Sequence, residues 1–121
     1  MSLVARHLES AGIPTVVIGS ARDIVEQVAV TRFLFVDFPL GNPCGKPGDR
    51  AMQRAIVELA LQLVEHAFGP QTTVQAPFVW SDDHRWRDRY MEVTDENRAD
   101  LAAAGAARQD KQARTRADRA D

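Results

Sequence analysis

Few side chains in this sequence combine the residue type and the setting that chemistry needs. Asp37 ends the apolar run RFLFVDF, where partial burial would raise a carboxyl pKa and fit it for acid–base work. The same carboxylate, two residues before Pro39, is equally a turn residue that bonds backbone N–H groups. Cys44 lies in the loop LGNPCGKPG with Lys46 close by and a long helix just downstream, two features that lower a thiol pKa. Without a local His or a second cysteine, it reads otherwise as an inert loop thiol. His84 adjoins Asp82 and Asp83, which are metal-ligand types, but Ser81-Asp82-Asp83 is also a helix N-cap cluster. His7 falls on the apolar side of a helix, the setting of core histidines, and His66 ends a long helix whose dipole favours imidazolium. No His, Cys and carboxylate set has zinc or iron spacing, and the P-loop, GxGxxG, GxSxG and HExxH patterns are absent. No cofactor is evident, and the question of a metal stays open.

The elements that must hold these residues alternate in period. Leu3, Val4, Leu8 and Ala11 predict an amphipathic helix with Ser2 placed to cap it and Gly12 to end it. Ile13–Ile18 is a β-branched run without polar alternation, as in a strand buried on both faces of a parallel sheet. Ser20 is placed to cap a short helix, ARDIVEQV, and RFLFVDF is a second two-sided strand stopped at Pro39. A helix between two buried strands predicts a right-handed, parallel βαβ unit. The Gly/Pro/Asn loop from Leu40 to Gly48 leads into a helix from about Asp49 to Phe68, ended by Gly69-Pro70. Its polar stripe, Arg54, Glu58, Gln62 and Glu65, is so narrow that something besides the sheet, such as another chain, is expected to cover it. TTVQAPFVW is extended but too interrupted by proline for a central strand, and SDDHRWRDRYM is a short capped helix.

The 121 residues are 45% hydrophobic and 26% charged with a formal net charge of −2, so the chain is one folded domain's worth and wholesale disorder is excluded. A slightly acidic chain has no general reason to bind nucleic acid or an anionic membrane. The lone cysteine cannot form an internal disulfide, and MSLVARHLES lacks the pattern of a secretory signal, so the expected compartment is the cytoplasm. Large apolar side chains end near residue 94. The expected organisation is an α/β domain over 1–94 and a charged, Ala-rich helical or disordered tail over 95–121. Two predicted strands make an incomplete open sheet, flanked by helices, that other subunits would complete.

Ligands of such sheets bind outside the carboxyl ends of the strands. That edge contains Gly19 and Ser20 after the first strand and Asp37 to Cys44 after the second. Gly19 permits close backbone approach, and the helix after Ser20 offers N–H groups to a carboxylate or other anion. The expected substrate-binding set is Gly19, Ser20, Pro39, Leu40, Gly41 and Asn42, with Asp37 and Cys44 as the catalytic candidates.

The order HLESAGIPTVVI, short helix, buried strand, FPLGNP and RAIVELAL helix resembles the C-terminal part of component B of the glycine, sarcosine, betaine and D-proline reductases. The resemblance covers about residues 2–66, and AGIPTV at Ala11–Val16 and PLGNP at Pro39–Pro43 carry most of it. It implies a part in reductive cleavage of a C–N bond alpha to a carboxylate, with a selenocysteine or cysteine making the attack. In that family the redox pair immediately precedes the helix that starts here at Ser2, and Cys44 does not match its position. The expectation is therefore a subunit of a hetero-oligomer, not catalytic alone, whose larger partner carries the redox motif and whose substrate is a small carboxylate. The competing expectations are a non-catalytic scaffold or assembly subunit and a stand-alone carboxylate-binding module.

Overall fold

The computed structural model describes residues 1–90 and 92–117, so Met91 and the last four residues of the expected tail lie outside it. The chain divides into two compact units, Met1–Arg87 and Asp88–Asp121.

The first unit begins with α1 (Ser2–Ser10) and continues through β1 (Val17–Gly19), α2 (Arg22–Gln27), β2 (Arg32–Phe35), α3 (Arg50–His66) and β3 (Thr72–Gln75). The short α4 (Trp86–Arg89) spans the division between the units. The sheet is parallel throughout in the order β1-β2-β3, with Val17 opposite Phe33 and Arg32 opposite Thr72. The α/β class and the open, three-stranded parallel sheet flanked by helices are thus present.

Central β2 is the strand buried on both faces. Phe33 and Leu34, adjacent and therefore on opposite sides of the pleat, are 1% and 0% exposed. Leu34, Val36, Ile56, Ala60 and Leu63 form the core beneath α3, while Phe33 packs with Val25 and Val30 beneath α2. The chain steps in one direction from β1 to β2 and from β2 to β3, yet α2 and α3 cover opposite faces. The two crossovers therefore have opposite hands, and one departs from the right-handed preference expected from sequence.

Several expected boundaries move for identifiable reasons. The first strand starts at Val17 rather than Ile13 and is only half buried, because it is a sheet edge. Upstream of it, the Thr15 N–H donates to Glu9 Oε1 at 2.6 Å, which fastens this segment to α1. Neither serine caps its helix: Met1 and Ala21 occupy the N-cap positions of α1 and α2 without side-chain cap bonds. Ser2 is already helical, and Ser20 lies one residue too early. His7 is exposed and not a core histidine, since buried Ala5 marks the inward side of α1. The proline-interrupted segment pairs as the edge strand β3, with Pro77 beyond its last paired residue. Asp49 does cap α3, accepting from the Met52 N–H at 3.0 Å.

The second unit carries α5 (Arg98–Ala117), preceded by a reciprocal pair in which the Thr94 N–H donates to Asn97 Oδ1 and the Asn97 N–H to Thr94 Oγ1. Leu101 is 49% exposed, in keeping with a sequence that has no apolar face to bury. Among the described residues, no helix is long and apolar enough to cross a membrane.

Candidate functional site at the carboxyl edge of the sheet

Three parallel strands bring their carboxyl ends to one edge, which places Ser20, Asp37 and the segment after Gln75 together. Backbone bonds continue the ladder there, from the Val36 N–H to Gly19 O at 2.9 Å and from the Ala76 N–H to Phe35 O at 2.8 Å.

Asp37 emerges half exposed and is bound by the Arg87 guanidinium, fifty residues later in sequence. It lines a cavity of about 160 Å³ with Gln75, Phe78, Val79, Trp80 and His84. Phe38 and Trp80 hold the floor by a tilted ring contact with centroids 5.4 Å apart, and Phe38 is 2% exposed. The Lys46 ammonium lies 5.9 Å from the Trp80 ring centroid, a cation–π contact. His84 is held at φ 53°, inside a turn where Asp83 Oδ1 accepts from the Ser81 hydroxyl and the Arg85 N–H.

The loop expected to bind substrate is built as successive turns. The Asn42 N–H donates to Pro39 O at 3.1 Å with Gly41 at φ 94°, as the third position of a type II turn requires. Leu40 is 52% exposed at its tip, and Cys44 is exposed in the next turn, closed by the Gly45 N–H to Asn42 O at 3.2 Å. Gly45 anchors the loop to α3. At φ 103°, a Cβ there would lie 3.1 Å from Met52 and 3.3 Å from Ile56.

On the other side of Asp37, Gly19 presents its side-chain-free face to the interior, where a Cβ would meet the Phe33 ring at 3.4 Å. Ser20 Oγ is buried with no hydrogen-bond partner. A buried hydroxyl without a partner costs about 1–3 kcal/mol, which makes this atom the least satisfied group at the edge. The edge thus combines a carboxylate already paired with arginine, a second cation over an aromatic ring and an unused hydroxyl. Among the described residues, no three His, Cys, Asp or Glu side chains converge as a metal would need.

Over 64 residues the chain is 38% identical to D-proline reductase subunit gamma of Acetoanaerobium sticklandii. The likeness covers 52% of this chain and 26% of that protein, so the chain spans about a quarter of the relative's length. It supports a relation to that reductase family, without reaching the component B assignment. No family model matches the chain, and no solved structure matches it either.

Reasoning from sequence identified Asp37, Ser20 and the Pro39–Asn42 turn as neighbours of the edge but missed Gln75, Phe78, Trp80, His84 and Arg87. The available signal was the segment WSDDHRWRDR itself, read as a surface helix or interface anchor. One of its arginines, Arg87, has a partner in Asp37, but nothing in local spacing links two residues so far apart.

Proposed function

We propose that this chain is a small subunit of a hetero-oligomeric, reductase-like enzyme that forms part of the substrate crevice while a larger partner supplies the redox thiol or selenol. The observation that carries the reading is the 64-residue likeness to a D-proline reductase subunit. The chemistry of the carboxyl edge is compatible with a small carboxylate substrate. Such a ligand would find cations in Arg87 and Lys46. By taking Arg87 it would release Asp37, whose carboxylate is otherwise not free to act as a base.

The Asp37–Arg87 pair also favours a second reading, a scaffold subunit in which the pair is purely structural. Turnover of D-proline by the purified complex separates the two. A catalytic contribution predicts that Asp37→Asn and Asn42→Ala each lower turnover at least tenfold with the complex intact. Undiminished turnover in both variants would establish the scaffold reading.

A further inference from the structure

Alternation along the sheet decides which side chains meet at the hollow beside Asp37. Gln75 pairs with Phe35, and Asp37 follows Phe35 by two residues, so both leave the chain on the same side. Pro77 has no N–H with which to extend the β3 ladder, and Phe78, Val79 and Trp80 supply an apolar wall beyond it. His84 completes the lining from a turn that holds its backbone at φ 53°. The cavity lies wholly within the first unit, and its volume of about 160 Å³ is many times what one water needs.

Neither lysine nor arginine belongs to this lining, although two cations stand just outside it. Arg87 binds Asp37 through Oδ2, and among the described residues Oδ1 accepts no hydrogen bond. The Gln75 carboxamide and the His84 ring are likewise unengaged among the described residues. Asp37 Oδ1, Gln75 Oε1 and a ring nitrogen of neutral His84 are therefore three acceptors that share one cavity with the rings of Phe78 and Trp80. An ammonium group answers all of them, because it has several N–H donors and its charge suits both a carboxylate and an aromatic face. Trp80 already draws one cation, since Lys46 Nζ lies 5.9 Å from its ring centroid. An anion would instead meet the Asp37 carboxylate, and an uncharged apolar molecule would leave acceptors unpaired.

We propose that this cavity binds a small organic ammonium ion. Its N–H groups meet Asp37, Gln75 and His84, and its hydrocarbon part lies against Phe78, Val79 and Trp80. The charge of Arg87 opposes such a ligand, but that side chain is 50% exposed and solvent screens it. Competition from so exposed a pair weakens binding by no more than about fivefold. Binding by this cavity does not depend on the reductase reading.

Chemical-shift titration of the isotope-labelled full chain with n-butylammonium chloride at constant ionic strength tests this. The expected result is saturable shifts at Gln75, His84 and the Trp80 indole N–H, with half-saturation in the millimolar range. Uncharged n-butanol, of the same size, should bind about tenfold or more weakly, and Asp37→Asn should weaken the ammonium by a similar factor. Shifts that do not saturate, or that avoid these residues, would overturn the proposal. So would an alcohol held as well as the ammonium, or an affinity that Asp37→Asn leaves unchanged. Should Asp37→Asn fail to fold, the comparison of ammonium with alcohol in the parent chain still decides the matter.

Discussion

Glu9 does more to secure the amino-terminal half of the fold than any motif there. Its Oε1 accepts from the Thr15 N–H at 2.6 Å, the Thr15 hydroxyl at 3.0 Å and Arg32 Nη1 at 2.7 Å, which ties α1, the approach to β1 and β2 together. Burial works to raise the Glu9 pKa, but the two Thr15 bonds and the Arg32 charge outweigh it and hold the carboxyl below its ordinary 4.5. A folded-state pKa below the unfolded one contributes stability above pH 4.5 that is lost as pH falls through the folded value. Glu9→Gln should therefore lower stability at neutral pH by about 2 kcal/mol and flatten the acid limb of the stability profile, as read by urea unfolding at several pH values. Cys44 is a contrasting case. It is exposed, and its neighbour Lys46 is engaged over Trp80. Cys44→Ser should retain activity in the assembled complex, and complete loss would identify this thiol as a reactant.

At the scale of elements, the loop between β2 and α3 is fixed by Gly45 as much as by its turns. Gly45→Ala combines a strained positive φ with overpacking against Met52 and Ile56, and should cost about 1–3 kcal/mol in thermal or urea unfolding. A wild-type melting curve for this variant would contradict the packing described. The elements legible in the sequence were those with a strong period or an unambiguous stop. The α3 boundaries follow from Asp49 and from Gly69-Pro70, and β2 from an apolar run ending before Pro39. Less legible were features decided by distant partners. β1 shortens because Thr15 bonds to Glu9, Pro77 lies just outside the β3 pairing, and Arg87 reaches the site only through the tertiary fold. Half of the site was therefore visible as the ends of predicted strands. The cavity wall from Gln75 to His84 was not, because no local pattern distinguishes it from a surface segment.

In the first unit, both edge strands, β1 and β3, and the outer row of α3 are unfinished surfaces. Parallel sheets are ordinarily covered and extended, and this one has three strands, which fits a component of something larger. Under the proposed reading, the carboxyl edge would hold the small acid and a larger partner would supply the attacking atom. The most direct measurement is the native mass and subunit composition of the untagged protein purified from its own cells. The account predicts stoichiometric co-elution with a larger polypeptide that carries a Cys-x-x-Cys or selenocysteine motif. Elution of this chain alone, as monomer or homodimer, while still cleaving D-proline would contradict it.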